Sequence, residues 1–429
     1  MLKSALRDIY IYRIILAHYI SSAIFFLIVS VLLMFSSDAF IGHYFHPKTL
    51  AITHLTTLGW VTFIMMGSLY QLIPVITNKK IYSSVLAFMV YLLMLIGTIL
   101  LSISFWIFDI GFIIETAACF LFLGITLFLI NILLTMKDSK EKNIEIDFIQ
   151  ASMFWFWLTA FIGSLLAFNF QYVFLPKDHL YYLKIHAHIG LIGWFLCLII
   201  GVSSKLIPMF LLSGKLNTNY LSYCYYLINL GLLGFLIDAL FLNGLDRAPV
   251  YSVIILFGIC FFLYFISNAF KTRARKKIDI NLKHTYISFF LITIPIILWG
   301  ILKFKIVADK QIELQISSAI VFSLLFGFIT LLILGQTFKN LAFIVWLKKY
   351  QEISGKVKTP LPKDLYSEKI ATLQLYLFII SFIIVLYGIL MSNSVTIKLG
   401  AISLMITAIL YTINVFKIIF HKDNSTPLV

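Results

Sequence analysis

Six of the nine histidines fall at one end of the chain's apolar runs. His54 lies about one turn inside one run, and His186 and His188 open a later run at the same level. His43, His46 and His179 occupy the adjoining polar segments. Neutral imidazole ligates haem iron, copper and zinc, and a histidine inside an apolar span is costly enough to point to a role. On a continuous helix, residues two apart face about 200° away from each other. His186 and His188 therefore serve separate sites more readily than they chelate one metal. Three roles stay open for His54 and His188: ligation of haem or copper, a hydrogen-bonded tie between helices, and gating of a ligand. His46 reads as a loop residue or a metal ligand, and His43 and His179 as ordinary loop residues. His18 and His284 fall near the opposite side of the membrane, too far away to share a site with the others, and His421 is in the tail. Glu115 and Asp238 are candidate proton-relay carboxylates or counter-charges, with solvation at the interface as the plainer reading. Lys205 reads as a snorkelling lysine. The sequence holds no Walker loop, serine nucleophile elbow or HExxH motif.

The elements that must position these groups are set by composition. Of 429 residues, 61% are hydrophobic and 12% charged, and the mean hydropathy is +1.01. A soluble surface needs more charge than that. Apolar runs of membrane-crossing length recur throughout, and each spans roughly 30 Å of hydrocarbon as a helix. They are apolar on all sides, unlike the alternating strands of a membrane barrel. The fold class expected is an all-α integral membrane protein of about twelve transmembrane helices. The runs cover 14–36, 50–76, 83–105, 110–136, 151–173, 183–212, 219–242, 250–268, 285–303, 316–346, 371–391 and 395–417. Cys119, Cys197, Cys224 and Cys260 lie inside runs without CxxC spacing, so they read as buried packing residues. Met1 to Arg13 is polar and the first run lacks a small-residue cleavage site, so no cleaved signal is expected.

The net charge of +15 does not point to nucleic acid, because the basic residues sit in loops between apolar runs. With the N-terminus inside, 23 of the 33 Lys and Arg residues fall in cytoplasmic segments and 8 in outer ones. That bias places both termini in the cytoplasm. Lys271, Arg273, Arg275, Lys276 and Lys277 form the densest basic cluster. It reads as an orientation anchor, with a lipid headgroup site as the alternative.

An internal repeat organises the runs. The second run carries His54, Gly59-Trp60, Gly67 and Leu72-Ile73-Pro74; the sixth carries His188, Gly193-Trp194, Gly201 and Leu206-Ile207-Pro208, each displaced by 134. A further 134 residues reach Gly327-Phe328, Gly335 and Leu341-Ala342 in the tenth, with Phe322 where a histidine would fall. Runs one, five and nine, three and seven, and four and eight are expected to correspond at the same offset. The reading is a single membrane domain of three pseudo-repeats of four helices, about 14–136, 148–270 and 282–417. The paired glycines lie near one helix face, where small residues permit close packing.

The segment from His46-Pro47 through His54-Leu-Thr-Thr-Leu-Gly59-Trp60 to Tyr70-Gln71-Leu-Ile-Pro74, with Ile185-His186-Ala-His188 through Lys205-Leu-Ile-Pro208-Met209, resembles haem–copper oxidase subunit I. It is most similar to a short bacterial branch of that family, and Phe343-Ile-Val-Trp346 and Asp364-Leu-Tyr366 extend the likeness along the chain. The resemblance implies three quartets of helices in the bacterial inner membrane. It implies haem as cofactor, with copper as a further candidate. Its partners would be membrane lipids, a redox protein or other membrane subunits. In that family helices two and ten hold the low-spin haem, helix ten holds the second haem, and copper takes histidines from helices six and seven. Here His54 matches helix two, but runs seven and ten contain no histidine. An ordinary proton-pumping oxygen-reducing centre is therefore not expected. The expected ligands are His54, His186 and His188 for haem, and His54, His188 and His46 for a metal. The function expected is respiratory redox or oxygen- and nitric-oxide-linked chemistry near the extracytoplasmic face, by an oxidoreductase if the chain is an enzyme. Metal or haem handling or transport, or a non-catalytic structural subunit, is the alternative.

Topology is open to direct measurement. In a variant stripped of its native cysteines, a cysteine placed between Lys271 and Lys277 should escape a membrane-impermeant maleimide added to intact cells. Labelling from outside would invert the orientation.

Overall fold

Hydrocarbon offers no hydrogen bonds to a backbone, so each apolar run satisfies its own as a helix. The computed structural model describes residues 9–137, 139, 143–242, 244–307, 309–422 and 426–427. Of the basic residues counted for orientation, Lys3, Arg7, Lys140 and Lys142 lie outside these. Among the described residues twelve helices are long and apolar enough to cross a membrane. Spans one to four are Ile9–Phe35, Pro47–Thr77, Ser84–Ile107 and Phe112–Met136. Spans five to eight are Ile144–Tyr172, His179–Leu211, Asn219–Phe241 and Ala248–Lys271. Spans nine to twelve are Ile280–Lys303, Lys310–Tyr350, Glu368–Leu390 and Ser394–Ile419. The chain is thus an all-α, multi-pass membrane protein, with one two-residue antiparallel ladder between Val357–Lys358 and Thr426–Pro427.

Several helices start earlier than their apolar runs because polar caps set the boundary. The side chains of Asn143, Asp178, Asp279 and Asp309 each accept a hydrogen bond from a backbone N–H in the first turn of the span that follows. Span nine is interrupted at Ile292, between Ile280–Leu291 and Thr293–Lys303. Pro295 lies just beyond and cannot return an N–H to the carbonyl four residues back.

The chain forms two compact units, one holding spans one to three and nine to twelve, the other spans four to eight. A common feature recurs in spans of both units. Spans two, six and ten each contain eight residues of π-helix: Leu55–Thr62, Ile189–Leu196 and Ser323–Thr330. Each begins 134 residues after the last. The π segments start one residue after His54, His188 and Phe322.

Two glycines per span set the contact with the preceding helices. A Cβ on Gly67 would lie 2.9 Å from His18 Cβ, on Gly201 2.7 Å from Phe148 Cβ, and on Gly335 2.5 Å from His284 Cβ. In each case the next backbone atom met is the carbonyl three residues earlier: Ile15, Glu145 or Asn281. His18, Phe148 and His284 are therefore equivalent positions. They match at spacings of 130 and 136, so spans one, five and nine do not follow the expected offset of 134. The separations from His18 to Gly67, Phe148 to Gly201 and His284 to Gly335 are 49, 53 and 51 residues.

Two turns further along, Phe25 and Trp155 fill the space left by Gly59 and Gly193. Beside them Trp60 stacks on Phe26 at 4.4 Å and Trp194 on Phe156 at 4.2 Å. The third copy departs here. The equivalent residue, Leu291, is where the first half of span nine ends, and Phe382 of span eleven lies against Gly327 instead.

In the first unit Trp60 Nε1 donates to Thr330 Oγ1 at 3.1 Å, joining spans two and ten through their π segments. Tyr411 of span twelve packs edge-on to Trp60 at 5.1 Å and donates to Thr337 Oγ1 at 3.1 Å. The loop after span ten is pinned by Trp346 Nε1 on the Pro360 carbonyl, and Tyr350 is bonded to His421 Nδ1 at 2.9 Å. In the second unit Trp155 Nε1 donates to Asn229 Oδ1 at 2.8 Å, tying span five to span seven.

Gly335→Ala should cost about 1–3 kcal/mol, the usual penalty for overpacking a filled site. The measurement is thermal unfolding of the detergent-solubilised protein. Gly300→Ala is the control, because nothing lies within 4 Å of its added Cβ.

Candidate functional site

His54 is the last residue before the π segment of span two. Its Nδ1 lies 2.8 Å from the carbonyl of Leu50. A carbonyl only accepts, so Nδ1 carries the proton and Nε2 carries the lone pair. The half-buried ring stacks on Phe105 of span three at 4.9 Å. His188 repeats this arrangement: Nδ1 donates to the Lys184 carbonyl at 2.7 Å, and the ring lies 5.2 Å from Phe235 of span seven. His188 is exposed where His54 is half-buried.

His186 faces the other way, as its spacing from His188 requires. Its Nδ1 donates to the Thr159 carbonyl of span five at 3.0 Å. Its ring occupies the space beside Gly163, where a Cβ would lie 2.9 Å from Cε1. At the position matching His54 and His188 the third repeat offers no imidazole. Phe322 stacks on Phe326 at 4.9 Å and on Phe382 at 5.8 Å, so three aromatic rings fill that position.

His46 is a capping residue: its Nδ1 accepts from the backbone N–H of Lys48 at 3.3 Å, at the start of span two. His43 likewise accepts from the N–H of Phe45, and His179 packs on Phe170 at 4.3 Å. Among the described residues no three His, Cys, Asp or Glu side chains come together in a way that could hold a metal ion. His46, one of the three expected metal ligands with His54 and His188, uses its Nδ1 for its cap. The His54 imidazole, its ring plane set by Leu50 and Phe105, has the chemistry of a haem or metal ligand.

Trp60 and Trp194 are fully buried, with Phe26 and Phe156 stacked on them. Other expectations need correcting. Cys197 and Cys224 are buried, but Cys119 and Cys260 lie on exposed helix surfaces; all four are free thiols. Asp238 is buried rather than solvated at an interface, and Glu115 is half-buried.

The sequence reading passed over the two most deeply buried histidines. His18 and His284 are fully buried, and each donates from Nδ1 to the carbonyl four residues back, Ile14 at 2.8 Å and Ile280 at 2.9 Å. The Nε2 of each is buried without a hydrogen-bond partner. Phe63, Tyr70 and Tyr91 surround His18 at ring distances of 5.2–5.8 Å. His284 belongs to a buried polar stripe with Asn281, Thr285 and Ser288. Asn281 donates to Tyr366, Gln336 donates to Thr285, and Lys339 pairs with Asp279 at 2.9 Å. Helical spacing of four polar residues inside an apolar run was the available signal. The glycine contact that makes His18 and His284 equivalent was hidden by their unequal offsets.

An unpaired buried nitrogen costs about 1–3 kcal/mol. Since Phe148 fills the equivalent place in span five, His18→Phe should hold or raise the melting temperature, whereas His18→Ala should lower it. A marked loss in His18→Phe would mean that Nε2 engages a ligand in the native membrane.

No protein-family model matches the chain. An uncharacterized protein of Aquifex aeolicus (strain VF5) is 27% identical over 296 residues, a stretch covering 68% of this chain and 71% of that one.

Proposed function

We propose that this chain is a haem–copper oxidase subunit I-like protein of the bacterial cytoplasmic membrane, with both termini inside. In this reading it binds one haem through His54, near the extracytoplasmic face. The observation that carries the reading is the setting of that imidazole. The Leu50 carbonyl fixes its tautomer at 2.8 Å, Phe105 fixes its ring plane, and the π segment starts at the next residue. π-Helical turns recur at functional sites, and a hydrogen bond to Nδ1 is the usual way a protein orients a ligating histidine and raises its basicity.

The haem would supply an iron able to bind and reduce a small diatomic gas such as oxygen or nitric oxide. The chain's own contribution would be the His54 imidazole as an iron ligand, with no imidazole offered by span ten, where Phe322 and Phe326 stack with Phe382 of span eleven. That favours gas chemistry or sensing over electron transfer through a bis-histidine haem. His186, bonded to span five, is a helix tie in this reading.

The test is the absorbance spectrum of protein purified from haem-replete cells. A Soret band that shifts when carbon monoxide is added to the reduced protein is expected. His54→Ala should abolish it, and His186→Ala should leave it largely intact. Full haem occupancy in His54→Ala would overturn the assignment, and absence of any haem band would favour a structural or metal-handling role.

A further inference from the structure

The second unit carries a basic platform that the haem reading does not use. It lies where spans six and eight finish and span seven begins. Two loops meet there in a short antiparallel contact between Ser213 and Arg273. Gly214 N donates to the Thr272 carbonyl at 3.2 Å, Ala274 N to Leu212 at 3.1 Å, and Arg275 N to Leu211 at 3.3 Å. Ser213 Oγ adds a bond to the Ala269 carbonyl at 2.8 Å. Leu212 takes a left-handed backbone, φ 52°, to turn span six into this contact.

The contact gathers Lys215, Lys271, Arg273, Arg275, Lys276 and Lys277, all of them exposed. Residues 212–218 and 271–278 include no acid. An orientation signal needs only the number of cations near a span; here the loop contact also brings cations from two loops to one place. Arg273 Nη1 donates to the Phe270 carbonyl at 2.6 Å, anchoring that guanidinium at the end of span eight. Four of its five N–H donors remain for an anion, and guanidinium binds phosphate through paired donors. Met209 and Leu212 project from the same end of span six, 53% and 65% exposed. Gathered cations, one of them an anchored guanidinium, beside exposed apolar side chains match the two halves of a phospholipid, headgroup and acyl chain.

We propose that this platform binds the phosphate headgroups of anionic phospholipids. Screening by salt over about 10 Å leaves such close cations mutually repelled, and lipid phosphates supply the missing counter-charge. The full-length protein, stripped of lipid in detergent, is titrated with phosphatidylglycerol, phosphatidylcholine or inorganic phosphate and then melted. Phosphatidylglycerol should raise the melting temperature by several degrees, and the other two should not. Lys276→Gln/Lys277→Gln keeps the loop contact and should reduce the shift, and adding Arg273→Gln and Arg275→Gln should remove it. Native mass spectrometry should show retained phosphatidylglycerol falling in the same order. Equal shifts with phosphatidylcholine, or an undiminished phosphatidylglycerol shift in the fourfold variant, would overturn the proposal. An equal shift with inorganic phosphate would overturn the lipid assignment in favour of a free-anion site. If the fourfold variant fails to fold, the Lys276→Gln/Lys277→Gln comparison decides.

Discussion

Three backbone approaches, at Gly67, Gly201 and Gly335, hold each repeat's second helix against its first. In a bilayer, lipid tails are as apolar as leucine, so helices gain by close packing and not by leaving water. A missing Cβ lets the carbonyls of Ile15, Glu145 and Asn281 come within 2.7–3.6 Å of where that atom would sit. Everything above that level depends on it. The second glycine, two turns away, admits a ring in all three copies, and in two of them the next residue is a tryptophan stacked on a phenylalanine. The π segments then widen the turn so that glycine and tryptophan both face the partner helix.

The histidines sit at the edges of this scheme. His54 and His188 close the last α-helical turn before the π segment, and each bonds its own helix's carbonyl and leans on the next span. What differs is burial: His54 is half-buried and His188 exposed. In the third copy Phe322 holds the matching position and joins an aromatic stack. His18 and His284 fill a packing position that takes phenylalanine in the middle repeat, which makes their unpaired nitrogens a cost to the fold.

Much of this was legible in the sequence. The twelve spans followed from apolarity alone, and the π segments recur at the same 134-residue spacing as the sequence's glycine motif. The opposite facing of His186 and His188 followed from two residues of helical rotation. Other features were not legible. Nothing in the residue types announces a π segment, since it depends on which carbonyl each N–H reaches. The equivalence of His18 and His284 was obscured because the separations to their contacting glycines, Gly67 and Gly335, are unequal, at 49 and 51 residues. The capping role of His46 depends on a local turn. The interruption of span nine at Ile292 was foreshadowed only by Pro295, and its replacement by Phe382 requires knowing that span eleven is the neighbour.

The two compact units differ in how the chain supplies them. Spans four to eight are one continuous stretch, whereas the other unit is made from both ends of the sequence. During synthesis at about 5–20 residues per second, the continuous unit is complete while spans one to three still lack their partners. Those three helices then wait for about ten to thirty seconds while the intervening 169 residues, Ile110–Ile278, are made. Through that interval the indole of Trp60 has no Thr330 to bond and Tyr19 and Tyr91 must rely on the serines of their own neighbours, Ser68 and Ser21. The order in which the ribosome delivers the chain is therefore not the order in which its parts are finished, and assembly of the unit that holds His54 ends with its last helices.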